Sequence, residues 1–171
     1  MMWLTALLGV FFVGVVGATA DAQADAYLAH GDEALSQGMF DAAIGHYQGG
    51  VKSINDEDTL ETELSLYTNL GTALSSIGRD EEAVKQYEKA ILVYKEKIDD
   101  VGEASHQQDI KAIASQAAFF LGMVYQDLDQ PRDAADAYHF ANSLDPLHWA
   151  SFANLGSVLH DTLSMLSLIH I

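Results

Sequence analysis

From residue 24 onward, large apolar residues recur three and four positions apart, and polar turns interrupt the stripes they form. Spacing of that kind gathers side chains on one face of a helix, whereas a strand would alternate every second residue. Ile91, Tyr94, Ile98 and Val101 make one stripe, and Ile110, Ile113, Ala117, Leu121 and Val124 make another. Only 2 prolines fall in 171 residues, and the body is rich in alanine and poor in valine. The expected fold is all-α, at a length that suits one domain.

A second pattern lies over the stripes. Gly31, Gly71, Gly122 and Gly156 each close a Leu-Gly or His-Gly pair. Twelve residues after the first three comes alanine, at Ala43, Ala83 and Ala134, and four further on comes Tyr47, Tyr87 or Tyr138. Three beyond the tyrosine stands a small residue again, Gly50, Ala90 or Ala141. Small residues on each of two helices let their backbones approach, and the aromatic fills the space beside the crossing. Gly71 and Ala83 are thus the expected contact within one helix pair, with Ala90 where the next pair leans in.

Three tandem copies of this pattern resemble the tetratricopeptide repeat, a helix–turn–helix unit of about 34 residues. Units are expected at 24–57, 64–97 and 115–148, with a half unit at 149–161. The resemblance implies an α-solenoid of antiparallel helix pairs. Gly31 to Gly71 spans 40 residues and Gly71 to Gly122 spans 51, beyond the family period. The surplus carries the two helical stripes above, and Ser105 with Gln108 reads as a capping box. A long helical hairpin is therefore expected between the second and third units.

The first twenty residues are uncharged, with an apolar run from Trp3 to Val16 and Ala18-Thr19-Ala20 ahead of Asp21. They read as a secretory signal peptide cut after Ala20, since about sixteen apolar residues is short for a membrane span of roughly 20. An uncleaved signal anchor is the less favoured alternative. The expected location is the lumen of the endoplasmic reticulum or the exterior, with no stable membrane span after cleavage. There is no cysteine, so packing alone must hold the domain.

Eight Lys and Arg against 25 Asp and Glu leave a formal net charge of −17. Such a surface repels phosphate, which argues against nucleic acid and leaves a basic or apolar polypeptide as partner. No nucleophile elbow, zinc-protease helix or phosphate loop occurs, so no catalytic residue and no cofactor are expected. Seven histidines lie scattered without ligand spacing, and no metal site is expected. The acidic run at 55–63 reads as a helix start, with Asp58 or Thr59 as its cap.

The resemblance also implies a groove. In that family the first helices line a concave face that holds an extended peptide. Asn69 and Asn154 align with asparagines that grip peptide backbone in some members, and Ala29 and Phe120 break the series in units one and three. Ser65 and Thr72 give the groove a hydroxylated stretch, and Phe119, Phe120 and Met123 give it an apolar one. The clamp that holds acidic C-termini in cytosolic co-chaperones needs Lys and Arg where this chain has Leu28, Asp32, Gln116 and Phe120, so no such binding is expected. The segment 162–171, "TLSMLSLIHI", is apolar and uncharged and departs from the repeat; it reads as an atypical tail, artefactual or truncated, with self-association through that apolar end as the alternative. The reading is a non-catalytic protein-binding scaffold of the secretory pathway, co-chaperone-like. The alternative is the targeting arm of a glycosyltransferase, methyltransferase or hydroxylase whose catalytic domain lies elsewhere.

Overall fold

The computed structural model describes residues 20–169 apart from 57 and 103, with side chains placed over 23–160 apart from 57 and 103–105. The expected signal peptide, but for the helical backbone at Ala20, and the side chains of the 162–171 tail lie outside the described residues. Among these residues there are seven α-helices and no strand. They are α1 (Ala20–Ser36), α2 (Phe40–Ser53), α3 (Leu60–Ser75), α4 (Asp80–Lys97), α5 (Ala104–Asp127), α6 (Pro131–Leu144) and α7 (Trp149–Ile169). Each packs on the next in sequence, and α3 also touches both α1 and α5. Three helix pairs therefore stack in order, and α7 lies against α6.

The turn inside each pair is the same device three times. Gly38, Gly78 and Asp129 take positive φ of 70°, 74° and 58°, each seven residues after the repeat glycine. The next amide then reaches back to close the helix: Met39 N to Ala34 O at 2.9 Å, Arg79 N to Leu74 O at 3.0 Å and Gln130 N to Tyr125 O at 2.8 Å. Glycine enters the left-handed region without a Cβ penalty, and Asp tolerates it better than most residues. Pro131 follows at the first turn of α6, where its missing N–H costs no hydrogen bond.

Within each pair a tyrosine ring lies across a glycine. A Cβ at Gly71 would stand 2.7 Å from Cε1 of Tyr87, and one at Gly122 would stand 2.6 Å from Cε1 of Tyr138. Tyr47 makes the same approach to Gly31. All three tyrosines are buried, as are Ala43, Ala83, Ala134, Ala90 and Ala141. Between units one and two, Leu66 of α3 comes down on Gly50 of α2, with a would-be Cβ at 2.5 Å from its Cδ2. Glu63 of α3, largely buried, receives a hydrogen bond from Lys97 Nζ at 2.5 Å and pins the end of α4. That bond is also what raises the ammonium above its ordinary pKa.

The surplus residues between units two and three are absorbed by α4 and α5 themselves. A 3-10 turn over Ile98–Asp100 extends α4, and α5 runs for 24 residues. Ile98, Val101 and Ile113 pack against the core, and Ile110 and Ala114 are buried in it. The long hairpin is thus the second helix of one unit joined to the first helix of the next. Helix α5 starts at Ala104, ahead of the expected cap at Ser105, and Gln107 Nε2 donates to Val101 O at 2.6 Å across the connection. At the other end, α7 is one helix across residues 161 and 162, where the sequence places the end of the half unit.

Gly71→Ala should therefore destabilise the fold by about 1–3 kcal/mol, because the Tyr87 ring must shift. Gly156 has nothing within 4 Å of its Cβ position, so Gly156→Ala should stabilise by up to about 1 kcal/mol through helix propensity. Urea unfolding midpoints of the two variants should move in opposite directions.

Candidate functional site

The expected binding residues fall on the first helices of the units, α1, α3, α5 and α7, of which α3 touches both α1 and α5. Helix α3 is started by Thr59, whose Oγ1 accepts from Thr62 N at 3.2 Å. Asp58 instead accepts from Asn55 N through Oδ2 at 2.7 Å, holding the loop before the cap.

Asn69 and Asn154 are partly buried and already engaged. Nδ2 of Asn69 donates to Oδ1 of Asp32 at 2.8 Å, and Tyr47 donates its hydroxyl to the same oxygen at 2.6 Å. Nδ2 of Asn154 donates to the Tyr138 hydroxyl at 3.2 Å, and that hydroxyl donates to Oε1 of Gln126. Each asparagine thus joins its own helix to the tyrosine network of the unit before it. Against the middle unit, Phe120 of the third takes the asparagine's place, with its ring centroid 6.1 Å from that of Tyr87. The Tyr87 hydroxyl turns to Thr72, 3.1 Å from Oγ1, while Thr72 also donates to Thr68 O at 3.0 Å.

The structure brings Phe119, Phe120 and Met123 together as one apolar area of α5, and their exposure differs. Phe119 packs on Phe120, Tyr138 and His148, with the His148 ring edge-on at 4.7 Å. Met123 is exposed. Ser65 is half-buried one turn before Asn69. Hydroxyls on α3 and apolar groups on α5 therefore occupy neighbouring parts of the face, since α3 and α5 touch. On α7, Phe152 and Leu159 are exposed beside the open Gly156, so part of the chain's apolar C-terminal region faces outward.

Sequence reasoning gave no linking role to the residues that tie unit one to unit two. Asp32 is the acceptor for both Tyr47 and Asn69, and Asp25 accepts from Thr62 Oγ1 at 2.7 Å. Both inter-unit bonds span 37 residues, as does the bond from Tyr125 to Glu88 at 2.7 Å. A search for complementary polar pairs at one common offset would have found them.

Charge is divided between the two helix sets. Helices α1, α3 and α7 contain no Lys or Arg, and α5 contains only Lys111. Five of the eight basic residues lie on α2, α4 and α6 between Lys52 and Lys97, and Arg132 makes a sixth. The positions a carboxylate clamp would fill with cations hold Leu28 and Phe120, both half-buried, and Asp32 and Gln116, both exposed. Among the described residues no group of three or more His, Asp or Glu could hold a metal ion, and no helix is long and apolar enough to cross a membrane.

Residues 64–100 match the family model of the tetratricopeptide repeat. The fold is that of tetratricopeptide-repeat domains of known structure. The Arabidopsis OM64 TPR domain is similar at a TM-score of 0.65 and 15% identity, over 84% of this chain and 99% of that one. The first TPR of Spaghetti (RPAP3), bound to the HSP90 peptide SRMEEVD, is similar at 0.66 and 16%, over 84% and 95%. The N-terminal domain of stress-induced protein-1 from C. elegans is similar at 0.63 and 19%, over 84% and 98%. No curated protein sequence matches the chain.

Burial pushes the Tyr87 hydroxyl from 10.0 up to about 12, against the opposing hydrogen bond with Thr72. A folded-state pKa raised in this way contributes stability that is fully present below the unfolded value and lost as pH rises through the folded one. Unfolding free energy should hold up to about pH 10 and fall as pH approaches about 12. Tyrosinate ultraviolet absorbance should show the buried tyrosines ionising only as the helical circular dichroism is lost.

Proposed function

We propose that the face formed by α1, α3, α5 and α7 binds an extended, non-acidic segment of another polypeptide, and that the chain is a non-catalytic adaptor of the secretory pathway. The observation that carries this reading is the exposed Met123 beside half-buried Phe119 and Phe120, on a face almost without cations. A large apolar side chain of the ligand would lie on α5, and its backbone would meet the hydroxyls of α3, Ser65 and Thr72. Asn69 and Asn154 would act mainly by holding the helices in place, because one amide hydrogen of each is committed within the protein.

The peptide SRMEEVD carries a C-terminal carboxylate and acidic side chains, and is found on the similar domain of RPAP3. Here the same acidic groups would meet Leu28, Asp32, Gln116 and Phe120 with no positive charge to receive them. Titration of the protein with SRMEEVD should show no saturable binding. An amidated counterpart with glutamine in place of each charged residue should bind, and Met123→Ala should weaken it several-fold. Saturable binding of SRMEEVD in preference to the uncharged peptide would overturn the proposal.

The secretory part of the reading rests on the apolar run from Trp3 to Val16 and the small residues before Asp21. Protein isolated from its natural source should begin at Asp21. Retention of Met1 or Met2 on the isolated protein would remove it.

A further inference from the structure

We propose a second docking surface on the opposite helix set: the trough between α4 and α6, which takes a basic amphipathic helix of another protein. It does not depend on the reading of the α1, α3, α5 and α7 face.

The trough has a volume of about 390 Å³. Its two walls are built alike. Glu88, Ile91, Leu92 and Lys95 on α4 stand at offsets of three, four and seven, and Asp133, Asp136, Ala137 and Phe140 on α6 repeat those offsets. Each wall is therefore one helical stripe two turns long. Leu121 and Tyr125 of α5 lie beneath them. Leu92 stands out, since it is 47% exposed in the middle of a helix whose other large apolar residues are buried or half-buried.

Charge is graded along the trough. Glu88 and Asp133 begin the two stripes, and Asp136 follows one turn later. The Tyr125 hydroxyl donates to Glu88 and fixes that carboxylate at the wall. At the far end Lys95 Nζ sits 4.5 Å from the centroid of the Phe140 ring and closes the trough. The interior is thus apolar and its open end carries three carboxylates.

The protein supplies its own comparison. Between α2 and α4 the repeat register puts Lys52, Lys85 and Lys89 where this trough has Leu92, Asp136 and Phe140. All three lysines are exposed. These three positions are therefore basic between units one and two and apolar or acidic between units two and three, while Glu82 keeps an acid where the trough has Asp133. A generally acidic, soluble surface does not account for that exchange.

Two parallel helical ridges with an apolar floor fit a third helix laid between them. Its apolar residues at the same three- and four-residue spacing would cover Leu92, Phe140 and Leu121. Its Lys or Arg would face Glu88, Asp133 and Asp136. A second copy of this chain, at a net charge of −17, would meet the three carboxylates with overall repulsion, which favours a different, basic protein as the occupant.

The test uses the full 171-residue chain and a synthetic amidated helix of leucine and lysine patterned on one apolar face, followed by fluorescence anisotropy. Asp133→Asn with Asp136→Asn should weaken binding by about tenfold, as should Leu92→Asp alone. Asp41→Asn with Asp109→Asn removes the same charge from exposed sites outside the trough and should change binding by less than about twofold. Met123→Ala should leave it unchanged. Helical circular dichroism confirms that each variant is folded. Absence of binding, equal loss in the two charge-matched pairs, or loss with Met123→Ala in place of Leu92→Asp would overturn the proposal.

Discussion

Where Tyr47, Tyr87 and Tyr138 lie across Gly31, Gly71 and Gly122, two helices approach until an aromatic ring meets bare backbone. The approach is possible only because the glycine presents no Cβ, and it seats a fully buried ring in the crossing. Each ring then leaves its hydroxyl at the edge of the pair, where it must find a partner. Asp32, Thr72 and Gln126 provide one on the tyrosine's own unit. Asn69 joins the first of these networks from the next unit, and Asn154 joins the third. One steric requirement inside the pair thereby sets the contact between pairs.

That arrangement explains how units spaced 40 and 51 residues apart keep the same internal geometry. The constraint is local to the sixteen residues from glycine to tyrosine, and insertions fall outside that stretch. Between units one and two the surplus is a capped loop ending at Thr59. Between units two and three it becomes added turns of α4 and α5, because its apolar residues continue the stripes of both helices. The lengthened α4 also carries Lys97 to the buried Glu63, which gives the extension a fixed place.

The two sets of helices offer different chemistry to a partner. One face is almost free of cations and combines hydroxyls on α3 with apolar groups on α5. The other carries most of the lysines, except where the α4–α6 trough exchanges them for leucine, phenylalanine and aspartate. A net charge of −17 thus conceals two surfaces of different composition. The first is almost without cations, and the trough on the second presents carboxylates of its own.

Helix identity, the pairing of helices and a tyrosine beside each crossing were legible in the residues, because a period of three and four and a fixed offset of small and aromatic residues depend only on local geometry. That the ring of Tyr87 itself lies on Gly71, where Ala83 was the expected neighbour, was not legible there. The second unit at 64–97 was the plainest case, with small and aromatic residues at nearly every expected place. The scarcity of cations on the first helices could also be read directly, since α1, α3 and α7 contain none and α5 only Lys111. What the asparagines do could not be read that way. Asn69 and Asn154 resembled peptide-binding groups, yet their partners Asp32 and Tyr138 lie on other helices, and only the stacking of units brings them within reach. The same holds for Phe119 against His148, and for the trough, whose two walls begin 45 residues apart at Glu88 and Asp133. Sequence determines which face a residue occupies through its helix; tertiary structure decides which polar group or apolar wall stands opposite, because that depends on how one unit rests upon the next.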